Sequence, residues 1–212
     1  RKLSGHAMRC LGEIAAITTL DDNKTPLPEP AMMVLAKLFS NVMQLLTQMV
    51  PPAAVCRLAT DGPEEGQEFV HALCTFLTQF LSNHMSVVLM SESNVMVLAA
   101  SMRYLVEITK ADDKDLFSTC LDFWHEFTKD LYRRKLGRAP ALWNAAPPAV
   151  KNQLEPSNSG GVIGKLLHAL RCVVISKMVM PEEILIEKEE ETGEIIQRVK
   201  THDTELSALY ET

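Results

Sequence analysis

The apolar residues of this chain recur at spacings of three and four, which places them on one face of an α-helix. Breaks rich in proline, glycine and acidic residues separate the periodic segments, and most of the 9 glycines and 11 prolines lie in these breaks. Because most of the breaks are short, neighbouring helices are expected to run antiparallel. The pattern therefore predicts an all-α protein built from antiparallel helix pairs.

Six segments are long enough for a full helix, and a shorter one lies at the end of the chain. The segments with helical spacing are 4–18, 31–50, 63–81, 91–106, 112–131, 162–180 and 203–212. Pro51 and Pro52 are expected to end the second helix, and Pro63 lies near the first position of the third. Paired helices of about 20 residues favour an α-solenoid over a closed bundle.

Residues with side chains that cap helix N-termini precede two of these segments. Ser91 or Ser93 can cap the fourth helix, and Asp112 or Asp113 can cap the fifth. Residues 136–161 have no period and are rich in Pro, Ala, Asn, Ser and Gly, which predicts an irregular loop between helices. We treat 1–212 as a single solenoid unit.

The stretch Pro181–Lys200 departs from the helical pattern. Two short runs rich in β-branched residues, 184–186 and 195–199, flank Thr192 and Gly193, an arrangement typical of a β-hairpin. An isolated two-stranded hairpin is marginally stable in water. We therefore expect this hairpin to rest on the helices.

The same stretch carries the net charge of the protein. Between Pro181 and Glu194 there are seven glutamates and one lysine, a net charge of −6, which equals the net charge of the whole chain. Two interpretations remain open. The stretch is either a solvated acidic loop, the usual fate of a charge run, or an acidic arm that docks on the helices and meets a basic partner or props the helices in one conformation.

Composition excludes several classes of protein. A pI of about 5.5 and a net charge of −6 argue against a general nucleic-acid or anionic-membrane surface, which requires a positive field. Five cysteines, spread singly, indicate reduced thiols in the cytosol or nucleus. We find no uninterrupted apolar run of 18 residues, so no membrane insertion is expected. Because the chain begins without Met, we expect it to be a piece of a longer protein.

No motif predicts an enzyme, a cofactor or a metal. The glycines and lysine of 160–165 resemble a phosphate-binding loop but lack its first glycine, its hydroxyl residue and a preceding strand, so a helix N-terminus is favoured. His71 with Cys74, and His168 with Cys172, share helix faces, but two ligands do not make a zinc site. We expect ordinary packing at both pairs.

Two charged clusters are also assigned structural roles. The acidic cluster is Asp112, Asp113 and Asp115, and the basic cluster is Arg133, Arg134, Lys135 and Arg138. The acidic cluster lacks the final aspartate of a magnesium-binding DDxxD pattern, so we interpret it as a helix cap. The basic cluster is expected to complement the dipole at a helix C-terminus.

Several stretches resemble the exportin family of HEAT-repeat karyopherins, in particular the receptors for leucine-rich nuclear export signals. Phe117–Trp124, with Leu131–Arg133, is similar to that family's F-x-x-C-L-x-[YF]-W helix ending in L-Y-R. Ser176–Glu187 is similar to its S-R-M-x-K-P-E-E-V-L-V-V-E, and Gly193–Arg198 to its G-E-V-V-R. Asp203–Tyr210 resembles its D-T-D continuing to L-Y. The resemblance covers nearly the whole chain.

The resemblance implies a HEAT-repeat α-solenoid in which the acidic hairpin at 181–200 joins the two helices of one repeat. It implies that the hairpin contacts the GTP form of the small GTPase Ran and, without Ran, helps to keep the cargo groove closed; the groove lies outside this chain. The implied partners are Ran, cargo proteins with leucine-rich export signals and nuclear pore proteins. The implied location is the nucleus and cytoplasm, with shuttling between them.

The residues assigned to Ran binding or autoinhibition are Glu187, Glu189, Glu190, Glu191, Glu194 and Arg198. The residues assigned to docking of the hairpin are Ile184, Ile186, Ile195 and Val199. The alternative is another HEAT-repeat scaffold or adaptor subunit with no role in transport.

Overall fold

The computed structural model describes residues 2–16, 28–90, 93–136, 161–178, 184–188 and 195–200. These residues form seven helices and two strands. In chain order they are α1 (Lys2–Ala16), α2 (Glu29–Met49), α3 (Pro52–Thr60), α4 (Glu64–Leu89), α5 (Ser93–Thr109), α6 (Lys114–Lys135), α7 (Val162–Met178), β1 (Ile184–Lys188) and β2 (Ile195–Lys200). The chain divides into two compact units, Arg1–Leu170 and Arg171–Thr212. The predicted helical architecture is confirmed, whereas the final helix and nearly all of the 136–161 loop lie outside the described residues.

The helix α3 was not predicted, because Pro51 and Pro52 were interpreted only as the end of the preceding helix. Pro51 has extended backbone angles, and its carbonyl accepts a hydrogen bond from the Ala54 amide at 2.9 Å. Pro52 occupies the first helical position, where proline is favoured because its φ is already helical and its missing N–H would have no partner there. The proline pair therefore ends one helix and begins the next.

The turn before α4 shows how a proline and a glycine fix the start of a helix. Pro63 directly precedes the helix, and its carbonyl accepts hydrogen bonds from the amides of Gly66 and Gln67 at 2.7 and 3.0 Å. The Gln67 side-chain amide donates to the Gly62 carbonyl at 3.0 Å. A Cβ atom at Gly62 would lie 2.2 Å from the Leu58 carbonyl oxygen, so only glycine fits this close approach.

The helix α4 is the centre of the first unit, in contact with α1, α2, α3, α5 and α6. The spacing of its apolar residues predicts one stripe wide enough to be covered on two sides. Every residue of this stripe is buried: Phe69, Val70, Leu73, Phe76, Leu77, Phe80 and Leu81. Phe80 stacks on Phe39 of α2 with ring centroids 4.1 Å apart and planes 5° apart. The expectation that this stripe is covered on two sides is thus confirmed.

Near its end, α4 is interrupted at His84, whose φ of −124° and ψ of 23° are not helical. The ring packs against Phe80, and neither buried ring nitrogen has a hydrogen-bond partner. Burial lowers the pKa of His84 below its ordinary value, while the carbonyl of Ala15 opposes this shift. His84 is therefore a neutral core residue at neutral pH.

Polar side chains join α5 to its neighbours inside the core. The Tyr104 hydroxyl donates to the Val50 carbonyl at the end of α2 at 2.6 Å, and burial raises the pKa of this tyrosine. The Thr109 hydroxyl donates to the Leu105 carbonyl at 2.6 Å, and its oxygen accepts a bond from Trp124 Nε1 of α6 at 3.2 Å. The hydroxyl groups of Tyr104 and Thr109 and the indole N–H of Trp124 thereby each have a partner, as is usual for buried polar groups.

The helix α2 buries only part of the apolar stripe that its spacing predicts, which comprises Leu35, Leu38, Phe39, Val42, Leu45, Leu46 and Met49. Of the predicted stripe, Phe39, Val42 and Leu46 are buried, but Leu45 and Met49 are exposed to 57% and 64%. Met43, which was not assigned to the stripe, is buried. Apolar residues surround much of this helix, so the spacing alone did not determine which of them would face α4 and α5.

Two of the helices that the structure describes are long and apolar enough, by length and composition alone, to cross a membrane. They are α2, near the N-terminus, and α4. The expectation that no such segment exists counted only uninterrupted apolar runs, whereas a hydropathy average tolerates glutamine and threonine. The finding is weak support for a membrane span, because a buried core helix passes the same test, and 72% of the α4 segment is buried.

In the second unit, β1 and β2 pair antiparallel as a two-stranded sheet. Glu187 pairs with Gln197, and Lys188 with Ile195, so the register shifts between Glu187 and Lys188. The shift leaves Ile196 as an extra residue in β2, the arrangement of a β-bulge. The connection 189–194 lies outside the described residues.

Candidate protein-interaction site

The residues assigned to Ran binding and to hairpin docking are placed only in part. Ile184, Ile186 and Glu187 lie on β1, and Ile195, Arg198 and Val199 lie on β2. Cα partners across the ladder join Ile186 to Arg198, and Val199 to Leu185. The pairing thus places Arg198 directly across the ladder from Ile186, one of the predicted docking residues.

The acidic residues at the turn are not placed. Glu189, Glu190, Glu191 and Glu194 lie outside the described residues. For β1 and β2 the structure describes the backbone pairing only. The assignment of these residues to a Ran-binding site therefore stays a prediction.

An open cleft between α1 and α4 in the first unit was not predicted. Its volume is about 620 Å³, and its charged lining residues include Arg9, Glu13, Glu64 and Glu68. Arg9 and Glu68 form an ion pair across the cleft, with 3.2 Å between Nη2 and Oε2. Both side chains are more than half exposed, so this pair contributes little to stability, typically about 0.2–1 kcal/mol.

His71, another lining residue of the cleft, joins α4 to the start of α6. Its Nε2 lies 3.0 Å from Asp113 Oδ2, while Asp113 Oδ1 accepts a hydrogen bond from the Leu116 amide at 2.9 Å. Burial acts to raise the pKa of Asp113, but the hydrogen bonds from Leu116 and His71 outweigh it and hold the pKa below its ordinary value. Asp113 is therefore the residue that caps α6, as predicted, and it also fixes the position of His71.

The two histidine–cysteine pairs do not form parts of a larger ligand cluster in the described residues. Cys74 contacts Cys120 of α6, with the two Sγ atoms 3.6 Å apart. In the part of the chain that the structure describes, no group of three or more His, Cys, Asp or Glu side chains could hold a metal ion. His71 and Cys74 thus have separate structural partners.

The glycine-rich and basic motifs coincide with helix ends. The helix α7 begins at Val162, and the Lys165 amide donates to the Gly161 carbonyl at 3.3 Å. At the end of α6, Arg133 Nη1 donates to Asp130 Oδ1 at 3.4 Å. Both observations fit the helix-terminus interpretations of these motifs.

Comparison with known protein families gives two matches. Residues 96–132, within α5 and α6, match the chromosome region maintenance or exportin repeat. Residues 162–212, which include α7, β1 and β2, match the CRM1/exportin repeat 2. The two matched regions lie on either side of the predicted 136–161 loop.

Individual relatives cover almost the whole chain. The chain is 29% identical to Exportin-1 of Drosophila melanogaster over 96% of its length, and 28% identical to Exportin-1 of Schizosaccharomyces pombe over 93%. It is 27% identical to Protein EXPORTIN 1B of Arabidopsis thaliana over 92%. The chain spans only 17–18% of the length of these relatives. The chain thus resembles a segment of exportin-1 over almost its whole length and matches two repeat models of that family.

Proposed function

We propose that this chain is a segment of a nuclear export receptor that binds the GTP form of Ran together with cargo bearing leucine-rich export signals. The observation that carries the proposal is the similarity to exportin-1 proteins over 92–96% of the chain. The receptor shuttles between nucleus and cytoplasm through contacts with nuclear pore proteins. The segment contributes binding surfaces and no enzymatic chemistry.

In this proposal, the chain forms a HEAT-type solenoid and residues 181–200 form a hairpin between two helices of one repeat. The second exportin repeat match supports this arrangement, because it runs continuously through α7, both strands and residues 201–212. The antiparallel pairing of β1 with β2 supports a hairpin within that repeat. Residues 136–161 then form an irregular loop between repeats.

The acidic turn supplies the electrostatic part of the proposed contact. Glu187, Glu189, Glu190, Glu191 and Glu194 concentrate negative charge in the stretch 181–194, outside which the chain is neutral overall. Such a cluster attracts a basic protein surface and raises the association rate, and salt screens it beyond about 8–10 Å. Arg198 lies in the same ladder as a counter-charge that orients the partner. Ile184, Ile186, Ile195 and Val199 hold the hairpin against helices.

Coupling between Ran and cargo follows if the hairpin has two docking surfaces. A hairpin that binds Ran in one state and the receptor's helices in the other biases a two-state cargo groove, even when the groove lies outside the segment. A coupling free energy of about 1–3 kcal/mol changes affinity 5- to 150-fold. The same coupling acts reciprocally, so cargo also strengthens Ran binding.

The first test measures Ran binding directly. Ran loaded with a non-hydrolysable GTP analogue or with GDP is titrated into the 212-residue chain, and affinity is measured at low and physiological salt. We expect Glu189→Gln, Glu190→Gln and Glu191→Gln together to weaken binding of the GTP form and to reduce its salt dependence. The control variant, with Glu13→Gln, Glu29→Gln and Glu64→Gln, removes the same charge from exposed helical positions and should bind normally. Equal weakening by both variants would mean that net charge, not the hairpin, sets the affinity.

The second test measures coupling. Drosophila exportin-1 is prepared with its matched region replaced by this chain, with and without a short Gly-Ser turn in place of residues 187–194. A labelled leucine-rich export peptide is titrated in the presence and absence of Ran·GTP. The turn variant should bind the peptide more tightly without Ran and gain less from Ran. Unchanged affinities in both conditions would rule out the switching role.

A further inference from the structure

Two cysteines from different helices meet inside the core of the first unit. Cys74 lies on α4 and Cys120 on α6, 46 residues apart in sequence, and their side chains are 1% and 0% exposed. The Sγ atoms are 3.6 Å apart. Since a disulfide bond is about 2.05 Å long, the sulfurs need to approach by about 1.6 Å to become bonded.

The surroundings distinguish the roles of the two sulfurs. The contact with Cys120, together with burial, raises the pKa of the Cys74 thiol. The same contact lowers the pKa of Cys120, although burial opposes this shift. The Leu105 carbonyl oxygen lies 4.0 Å from Cys120 Sγ. The remaining cysteines, Cys10, Cys56 and Cys172, are partly or fully exposed.

We propose that Cys74 and Cys120 form a reversible disulfide when the protein meets a hydroperoxide, joining α4 to α6. The Cys120 thiolate attacks the terminal peroxide oxygen, the O–O bond breaks, and the leaving oxygen takes a proton. This gives a sulfenic acid on Cys120 and an alcohol or, from hydrogen peroxide, water. The Cys74 sulfur then attacks the Cys120 sulfur, the S–O bond breaks, and the departing hydroxide leaves as water with the Cys74 proton. The thiols lose two electrons to the peroxide, and a dithiol reductant reverses the change.

Burial makes this reaction slow, and the contact between the two sulfurs determines which disulfide forms. The oxidant reaches the pair only when α4 and α6 open locally, so the exposed cysteines meet it first. Once Cys120 is oxidised, however, Cys74 is already in contact and completes the disulfide before a second oxidant arrives.

The test treats the 212-residue chain with hydrogen peroxide, alkylates the remaining thiols in denaturant, and maps the cysteines by peptide mass spectrometry. We expect a cross-linked peptide pair containing Cys74 and Cys120, which a dithiol reductant separates, and faster formation at higher pH. Alkylation of both Cys74 and Cys120 after the exposed cysteines have been oxidised would overturn the proposal. Cross-links that join either residue to Cys10, Cys56 or Cys172 instead would also overturn it.

A second variant makes the result independent of the exposed cysteines. The protein with Cys10→Ser, Cys56→Ser and Cys172→Ser keeps only the buried pair. Peroxide should raise its thermal unfolding midpoint by several degrees, and reduction should restore the original value. Cys74→Ala in the same background removes the partner and should abolish the shift. An unchanged midpoint in the three-serine variant, with both thiols intact, would contradict the proposal.

Discussion

The helices α2 and α4 have similar hydropathy but very different environments. Both are apolar enough to resemble membrane spans, yet 72% of the α4 segment is buried and only 17% of the α2 segment is. The difference lies in the number of partners. The helix α4 contacts five other helices, whereas α2 packs mainly against α4 and α5. Apolar composition therefore indicates how much surface a helix could bury, whereas the number of neighbouring helices determines how much it does bury.

The largest expected effect compares the same substitution in the two helices. Leu77 on α4 is completely buried, and Leu45 on α2 is 57% exposed. Leu77→Ala should lower the free energy of unfolding by about 2–5 kcal/mol, because it leaves a cavity in a packed core. Leu45→Ala should change it by less than about 0.5 kcal/mol. Urea denaturation of both variants checks the contrast, and equal losses would show that a partner covers α2.

A glycine pair tests how tightly the entry into α4 is fixed. Gly62→Ala places a methyl group against the Leu58 carbonyl, only 2.2 Å away, and should cost about 1–3 kcal/mol through overpacking. In α1, a Cβ atom at Gly12 meets nothing within 4 Å. Gly12→Ala should therefore stabilise the protein by up to about 1 kcal/mol through helix propensity. Thermal unfolding should move in opposite directions for the two variants, and a shared direction would contradict the close approach.

The anchor at the end of α2 should have a smaller effect. Tyr104→Phe removes the hydrogen bond to the Val50 carbonyl and should cost about 1 kcal/mol. In the Tyr104→Phe variant, hydrogen exchange should show faster opening of the C-terminal end of α2 than of the middle of α4. Tyr132→Phe on α6 is the control, because that side chain is 63% exposed. Equal protection of α2 in both variants would mean that packing alone holds this end.

The smallest expected effect concerns the contact between α4 and the start of α6. Since the pKa of Asp113 is lowered in the folded protein, its stabilising contribution is present above the pKa of the unfolded carboxyl group, about 3.9. The contribution is lost as the pH falls through the lower folded value. Asp113→Asn keeps a capping side chain but removes the charge, so it should lose about 0.2–1 kcal/mol at neutral pH.

Urea denaturation as a function of pH provides the measurement. The difference between Asp113→Asn and the unchanged protein should shrink as the pH falls below about 4. Asp122→Asn on the exposed side of α6 controls for the loss of one surface carboxylate. A difference that stays constant down to the lowest accessible pH would show that the aspartate acts only through its shape.

The sequence predicted the buried face of α4 but only part of that of α2. In α4 the stripe from Phe69 to Leu81 is so wide that almost any packing buries it. In α2, apolar residues lie on several faces, and the choice of Met43 over Leu45 depends on where α4 and α5 lie. The helix α3 was missed for a local reason, since a proline after a helix was not considered as the start of another.

The acidic stretch could be found from sequence because its composition and its β-branched residues differ from everything around them. The contacts of the first unit could not be found from sequence, because they join residues far apart in the chain. His71 and Asp113 are 42 residues apart, and Cys74 and Cys120 are 46 apart. Each of these residues has an unremarkable local pattern, and only the packing of α6 against α4 brings the pairs together.

The register shift between β1 and β2 has a consequence for solubility. A two-stranded sheet has an open edge on each side, and such edges can recruit strands from other molecules into aggregates. The extra residue at Ile196 interrupts the regular ladder and increases the local twist. A twisted, interrupted edge is a poor template for another strand. The bulge therefore allows a segment rich in isoleucine to form strands while discouraging self-association.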